Sequence, residues 1–500
     1  MNWDRLMPSL DFQAYLLLAL IGFGLLLAGL GVVSLVQTLR KTGTLISREG
    51  LSVVVLTLLG LALAGSAMWR RGPVAETVRA LTQKDEENAT ELARLQTAPL
   101  ERGDAVPLPA GDWPQWRGPH RDGISTETRL RTDWSTPPPI LWKRPLGKGY
   151  SSIAAVAGRL YTMEKKENDE RVLCLDAATG KELWVYAYPV KYGGLSYGAG
   201  PRATPTVNDG LVYTVGATGV MSCLEAMPAD GKAHLVWKHD LLTEYSAPMP
   251  TWGVACSPLI EGDLVCVQPG GKSTSVVALD RRTGQEVWRA LSDVSGYSSP
   301  VAATAAGVRQ IVCFTGEGVS GLRAVDGTRL WYYAWSTANN GNIATPIVAG
   351  DYVFISSGYS TGCALLHLKD GTAGKVQVKP VYVKRNKLMR NHHSSSVLHE
   401  GHLYGFDDGT LKCVDLRRGD ERWSARGIDK GCVLYADGHL VVLSENGTLS
   451  LVEARPDQFH EKGRMRGLLT GADCWSLPTL SNGRLYLRDH EQMVCLELKK

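Results

Sequence analysis

The residues of this sequence that could bind a ligand recur in short segments, each just before a strand that begins with Ser-Pro, Thr-Pro or a similar pair. The side chains that these segments carry are Tyr150, Arg202, Trp252, Tyr297, Asn342, His392, His393, Lys430 and Trp475. Aromatic faces with a few cationic and amide donors suit a planar, anionic or polyhydroxylated ligand. If the segments converge, they form a candidate cofactor-binding or ligand-binding ring. The alternative is a polar structural rim that water fills.

Metal and catalytic motifs add no second candidate site. His392 and His393 are adjacent, and neighbouring residues of a strand point to opposite faces, so we do not expect them to chelate one ion together. The sequence contains no Cys-x-x-Cys pair, no His-Glu-x-x-His motif and no P-loop. We therefore assign no metal ligand and no catalytic residue.

The elements that must position these side chains follow a repeat. A Gly or Asp-Gly turn followed by a short β-rich run occurs eight times. These units start at Gly158, Gly210, Gly262, Val308, Gly350, Gly401, Gly438 and Gly483, at intervals of 37 to 52 residues. Such periods, with several strands per unit, are typical of β-propellers. The predicted fold is all-β, an eight-bladed propeller of four-stranded blades over residues 112–500.

Within the units, an acidic residue, a glycine and a tryptophan predict a tight turn and an outer strand. The pattern Asp-x3-Gly-x3-Trp begins at Asp176, Asp280 and Asp415. Asp caps the turn, Gly takes a positive φ, and Trp packs between adjacent blades. Residues 140–143 match a Trp strand without its earlier strands, and the last unit lacks its own Trp strand. We expect the first to complete the last and so to close the ring.

The ten cysteines are predicted to be core thiols. Four of them occupy a position two residues before an acidic residue, and Ala278 and Ala324 fill the same position in other units. A position that accepts Ala or Cys favours a small buried side chain over a disulfide or a metal ligand.

Two uncharged apolar stretches precede the repeats and predict transmembrane helices at about residues 14–38 and 51–69. They form a two-helix anchor within residues 1–72, followed by a juxtamembrane helix and linker over residues 73–111. Basic residues flank the spans on both sides, so charge alone leaves the orientation open. A net charge of +4 without a basic stripe predicts no nucleic-acid partner.

The pattern of a small residue, then x-Asp-x-x-Thr-Gly-x-x-x-Trp, best kept in residues 174–184 and 278–288, resembles the PQQ-like propeller repeat. Quinoprotein alcohol and glucose dehydrogenases share this repeat with BamB-like propeller lipoproteins of bacterial outer-membrane assembly. The segment Asp112-Trp-Pro-Gln-Trp-Arg-Gly-Pro119, with Arg121-Asp-Gly123, is similar to the opening motif of a bacterial, generally exported subgroup. The resemblance implies a propeller placed outside the cytoplasm, and the two apolar stretches predict that it is anchored to the inner membrane.

Two functions follow from this resemblance. Quinoprotein dehydrogenases of this fold hold PQQ beside Ca²⁺, with a disulfide between adjacent cysteines over the quinone and an Asp as base. This sequence has no Cys-Cys pair and no Cys-x-x-Cys-His haem motif. We therefore expect a membrane-tethered binding or scaffold module of the cell envelope, with a protein partner or a small polar or anionic ligand at the channel mouth. The alternative is a PQQ-dependent oxidoreductase, using PQQ and calcium, that passes electrons to membrane quinones.

Overall fold

The computed structural model describes Thr90, Ala93 and residues 111–500, apart from residues 199, 372–373 and 472. The two predicted membrane spans and nearly all of the predicted linker lie outside the described residues. In the part of the chain that is described, no helix has the length and apolar character needed to cross a membrane. The membrane anchor therefore stays a prediction.

The propeller consists of eight four-stranded antiparallel sheets, which we number as blades from the first complete one. Blade 1 comprises Ala154–Val156, Arg159–Lys166, Asp169–Asp176 and Glu182–Pro189; blade 2, Thr206–Asn208, Leu211–Val215, Val220–Glu225 and Leu235–Asp240; blade 3, Leu259–Glu261, Leu264–Val267, Val276–Asp280 and Glu286–Ala290; blade 4, Val301–Ala305, Val308–Phe314, Gly318–Arg323 and Arg329–Ala334. A helical turn, Leu241–Glu244, follows blade 2, and a 3-10 turn, Ala338–Asn340, follows blade 4.

The second half of the ring repeats this order. Blade 5 comprises Ile347–Ala349, Tyr352–Ser357, Gly362–Asp370 and Val376–Arg385; blade 6, Val397–His399, His402–Asp407, Thr410–Asp415 and Asp420–Ala425; blade 7, Gly431–Ala436, His439–Ser444, Leu449–Glu453 and Glu461–Met465; blade 8, Thr479–Ser481, Arg484–Arg488, Gln492–Glu497 and Ile140–Pro145. The predicted fold class, with eight blades of four strands, is confirmed.

Ring closure follows the prediction. Ile140–Pro145 pairs with Gln492–Glu497, and in this register Trp142 lies opposite Cys495. The chain therefore contributes its first strand as the outer strand of its last blade, which gives blade 8 four strands like the other blades.

Five of the eight joints between blades contain a tryptophan whose indole N–H donates to a carbonyl of the turn in the next blade. The Thr179 N–H donates to Asp176 Oδ1 at 2.8 Å, and Gly180 turns the chain at a φ of 70°. Trp142 of blade 8 covers this glycine, and its Nε1 donates to the Ala177 carbonyl at 3.3 Å. The same donor–acceptor joint recurs in the pairs Trp184–Ala226, Trp237–Arg281, Trp288–Ala324 and Trp423–Arg455. The prediction that these tryptophans pack between blades is confirmed.

The Ser-Pro and Thr-Pro pairs form an inner ring that ties the first strands together. A backbone N–H of one blade donates to the hydroxyl of the next at 2.8–3.2 Å in the pairs Ser152–Thr204, Thr204–Ser257, Ser257–Ser299, Thr345–Ser395 and Leu477–Ser152. Ser257, Ser299 and Ser395 of this ring line the mouth of the channel, and first strands of neighbouring blades contact one another. The ten cysteines are all buried, with free thiols, as predicted.

Candidate ligand-binding cup

A segment that precedes the first blade closes the channel. Residues 113–124, which we call the plug, bond to residues in or just before the first strands of six blades. These partners are Ala155, Val207, Pro258, Thr345, Ser396 and Tyr435, of blades 1, 2, 3, 5, 6 and 7. The motif that resembles the opening of an exported subgroup is therefore a structural element of the channel.

Two buried arginines hold the plug in place. Arg117 Nη2 donates to the Ser396 carbonyl at 2.6 Å, and Arg121 Nη1 donates to the Pro258 carbonyl at 2.8 Å. Burial lowers the pKa of each guanidinium to about 10, so both remain charged at neutral pH. Backbone carbonyls supply the partial negative charge around them, which fixes the plug to strands on opposite sides of the ring.

The plug turns the channel mouth into a cup with a closed floor. Its accessible volume is about 130 Å³. The cup is lined by Trp116, Tyr150, Tyr197, Arg202, Trp252, Ala255, Ser257, Tyr297, Ser299, Ile343, Tyr359, His392, His393, Ser395 and Trp475. Trp116 belongs to the plug, and its Nε1 donates to Thr345 Oγ1 of the inner ring at 2.9 Å.

The wall of the cup is a chain of aromatic rings in contact. Trp475 stacks on Tyr150 with ring centroids 5.2 Å apart and on His393 at 4.6 Å. Across the cup, Trp252 stacks on Tyr359 at 5.7 Å. Offset-stacked rings at these separations stabilise one another, so the wall is preorganised rather than loosely packed.

His393 is the one residue of the wall whose polar atoms are buried and unpaired. Among the described residues, neither Nδ1 nor Nε2 of His393 has a hydrogen-bond partner. Burial, followed by the nearby His392 and Lys430, lowers the pKa of His393 well below 6.5, and burial also lowers the pKa of His392. Both imidazoles are therefore neutral at pH 7, and His393 offers one donor and one acceptor.

Arg202 carries the only formal charge of the lining at neutral pH, and its guanidinium is already paired. It donates to the carbonyls of Trp252 at 2.7 Å, Gly198 at 2.8 Å and Ser196 at 3.2 Å, and also to that of Gly200. It also lies over the Tyr150 ring at 5.4 Å. Arg202 thus holds the loops of the rim together instead of projecting a free charge into the cup.

Comparison with known proteins identifies the family of this propeller. A family model described as outer membrane protein assembly factor BamB, of the PQQ-like type, matches residues 168–425, just over half of the chain. The chain belongs to this family. No curated protein matches the sequence.

Solved structures show that this BamB-like chain shares its fold with proteins of different kinds. BamB from Moraxella catarrhalis is 17% identical over 72% of this chain and 98% of its own, with a TM-score of 0.52. Quinohemoprotein alcohol dehydrogenase ADHIIG from Pseudomonas putida HK5 is 12% identical over 78% of this chain and 80% of its own, with a TM-score of 0.51. At such identities the likeness extends to the fold alone.

The cup of this BamB-like propeller does not fit PQQ with calcium. Ca²⁺ takes six to eight oxygen ligands, most of them carboxylate or carbonyl, yet the lining contains no Asp or Glu. No cluster of three His, Cys, Asp or Glu side chains that could hold a metal occurs in the described part of the chain. PQQ carries three carboxylates, and the guanidinium of Arg202 is already occupied by backbone carbonyls.

The structure brings seven of the nine predicted ring residues into this cup. They are Tyr150, Arg202, Trp252, Tyr297, His392, His393 and Trp475. Asn342 is fully buried beside the cup, where its side chain bonds to the carbonyls of Thr315 and Trp335. Lys430 does not line the cup and pairs with Asp408 at 3.1 Å. A cofactor-binding role for the ring stays a prediction.

Three aromatic residues of the wall were not predicted. Trp116 comes from the plug, Tyr197 from the connection between blades 1 and 2, and Tyr359 from a hairpin turn of blade 5. Tyr359 lies in a Gly-x-Ser-x-Gly sequence, residues 358–362. That sequence joins two antiparallel strands, whereas a nucleophilic serine of this motif stands on a strand-to-helix turn. The predicted ring consists of segments that directly precede first strands, whereas Tyr359 belongs to a turn within a blade.

Proposed function

We propose that this chain is a membrane-tethered binding module of the bacterial cell envelope, with the propeller outside the inner membrane and the aromatic cup as its recognition site. The observation that carries the proposal is the cup itself, a preorganised ring wall over a closed floor with His393 unpaired inside it. The family description, an outer membrane assembly factor, supports a binding and scaffolding role in the envelope. The two apolar stretches of the sequence support the tether.

The lining chemistry favours binding over quinoprotein oxidation. A carboxylate-free cup whose guanidinium is already paired lacks the ligands that calcium needs and the cations that a tricarboxylate needs. The same cup has a largely aromatic lining, and hydrophobic and aromatic side chains line most ligand-binding sites. The oxidoreductase alternative therefore rests on the shared fold alone.

Photo-crosslinking from inside the cup tests this function. The full-length chain, carrying Tyr359→benzoyl-phenylalanine, is irradiated in the cells that produce it, and adducts are identified by mass spectrometry. We expect a discrete adduct, of protein or of smaller mass. The matched control is the same substitution at Tyr332, an exposed tyrosine on the outer strand of blade 4, which should yield none.

Two results would contradict the proposal. The first is equal adducts from Tyr359 and Tyr332, which would place recognition outside the cup. The second is saturable binding of PQQ and Ca²⁺ by the full-length chain, measured by calorimetry, together with dye-linked alcohol oxidation. That result would make the protein an enzyme.

A further inference from the structure

The shape of the cup limits its ligand to a single ring or chain end. The plug closes the floor, so a segment that enters the mouth has no second exit. An accessible volume of about 130 Å³ is close to that of a cavity of about 150 Å³ that holds one benzene ring. A single six-membered ring matches this space, whereas an extended peptide that crosses a groove does not.

The charge of the cup favours a neutral ligand. The lining has no carboxylate to pair with a cation, and Arg202 already bonds to four backbone carbonyls. Both His392 and His393 are neutral at pH 7 because burial lowers the pKa of each. A charged ligand would lose its hydration here without gaining an opposite charge, which is costly in a buried site.

The polar atoms of the cup favour a ligand that carries hydroxyl groups. Neutral His393 presents one buried donor and one buried acceptor, both unpaired among the described residues. The hydroxyls of Ser257 and Ser395 each accept a backbone N–H, which leaves each a proton to donate. A hydroxyl group both donates and accepts, so a ligand hydroxyl can bond to either nitrogen of neutral His393.

The aromatic wall supplies the complementary apolar surface. Trp252 and Trp475 lie in the lining with Tyr150 and Tyr359 stacked on them. A sugar ring has an apolar C–H face and a hydroxylated edge, and aromatic faces bind the former while fixed polar groups orient the latter. We infer that the cup binds a neutral sugar ring, with the aromatic wall as its apolar surface and His393 as the partner of its hydroxyls. This inference rests on the proposed function, because it names the ligand class of the same cup.

Titration with defined neutral glycosides tests the inference. The full-length chain in detergent is titrated with the methyl glycosides of glucose, galactose, mannose and N-acetylglucosamine, followed by calorimetry and tryptophan fluorescence. We expect saturable binding of at least one of them and a change in the emission of the stacked tryptophans. A β-1,4-linked trisaccharide of the best sugar then distinguishes the source: tighter binding indicates the end of a glycan, and equal binding indicates a free sugar.

Two variants connect binding to the named residues. His393→Phe keeps a ring against Trp475 but removes both polar atoms, and it should weaken binding by about tenfold or more. Trp252→Phe keeps a smaller aromatic face and should weaken binding less, which provides a second readout if one variant folds poorly. His460→Phe, at an exposed histidine of blade 7, should bind as the parent chain does.

Three outcomes would overturn the inference. They are no binding of any glycoside, unchanged binding by His393→Phe, and an equal loss of binding in His460→Phe. If no glycoside binds but Tyr359→benzoyl-phenylalanine still captures a protein from within the cup, the sugar assignment fails while the proposed binding function stands.

Discussion

His393 lowers the free energy of unfolding when the cup has no ligand. Each of its ring nitrogens is buried without a hydrogen-bond partner among the described residues, and an unpaired buried polar group costs about 1–3 kcal/mol. The neighbouring Ser257 and Ser395 have backbone partners. Buried polar atoms without partners break the usual rule that such atoms are hydrogen-bonded, and this exception is expected where a ligand supplies the missing partner.

The cost of His393 should appear in the pH dependence of stability. Its pKa in the folded state lies well below 6.5, mainly because of burial, so below about pH 6.5 the unfolded chain binds a proton that the folded chain does not. The contribution of neutral His393 to the free energy of unfolding is therefore fully present above pH 6.5. It is lost as the pH falls, by up to about 1.4 kcal/mol per pH unit. We expect His393→Phe to be about 1 kcal/mol more stable at pH 7.5 and to lose less stability between pH 7 and pH 5. Urea unfolding at each pH measures both quantities.

His460→Phe provides the comparison for this pH series. His460 is exposed and pairs with Glu453 at 2.9 Å, so its removal should not flatten the loss of stability below pH 6.5. Parallel pH curves for the parent chain and His393→Phe would show that His393 is hydrated or paired in solution. The account of the cup as a site with unmet hydrogen bonds would then be wrong.

At the scale of the elements, blades 8 and 1 are joined by a glycine turn under a tryptophan. A Cβ at Gly180 would lie 2.8 Å from the Trp142 ring, whereas a Cβ at Gly210 would meet nothing within 4 Å. Both glycines have positive φ, 70° and 76°, so an alanine at either costs about 1–2 kcal/mol of backbone strain. Gly180→Ala must also displace Trp142, which adds about 1–3 kcal/mol. We expect denaturant titration to give Gly180→Ala a free energy of unfolding about 1–3 kcal/mol lower than that of Gly210→Ala.

The comparison measures the contribution of the Trp142 contact alone. Both variants place an alanine at a positive φ, but only Gly180 lies under a tryptophan ring. Equal destabilisation of Gly180→Ala and Gly210→Ala would mean that Trp142 shifts freely. The tryptophan would then not fix the distance between blades 8 and 1.

The repeat could be predicted from sequence because its determinants are local. Asp176, Gly180 and the Trp strand are set by spacing within a few residues, and the structure confirms the turn and the joint. The lining of the cup could be predicted only in part. Asn342 lies in a segment that matches the others, but its amide bonds to the carbonyls of Thr315 and Trp335. Side-chain direction at a channel mouth depends on the neighbouring blades, and spacing does not encode it.

Trp116 and Tyr359 illustrate contacts that no single repeat contains. Trp116 reaches Thr345 across 229 positions of sequence, and Tyr359 meets Trp252 from a blade two positions away in the ring. Such contacts exist only once the ring has closed around the plug. The sequence of the plug resembles a known opening motif, but its place inside the channel follows from its bonds to six different blades.

At the scale of the whole molecule, one strand pairing closes the ring. Lys143 lies opposite Val494, and the equivalent pair of blade 3 is Arg289 opposite Val277, each one residue beyond the Trp–third-strand pair. In both pairs the outer-strand residue is exposed and its partner is fully buried. The two sites differ mainly in the length of chain between the paired residues, about 350 residues for the closure and about a dozen within blade 3.

A disulfide at each pair therefore measures what closure contributes. The Lys143→Cys/Val494→Cys variant removes the entropy of a loop that spans the propeller, and the Val277→Cys/Arg289→Cys variant removes that of a short hairpin. Chain-entropy scaling predicts that the first disulfide stabilises the protein by about 3 kcal/mol more than the second. Guanidinium unfolding of both oxidised variants, each compared with its reduced form, gives this difference without the cost of the substitutions. Equal gains would show that the unfolded chain keeps its two ends together, because a loop already closed in the unfolded state has little entropy left to lose.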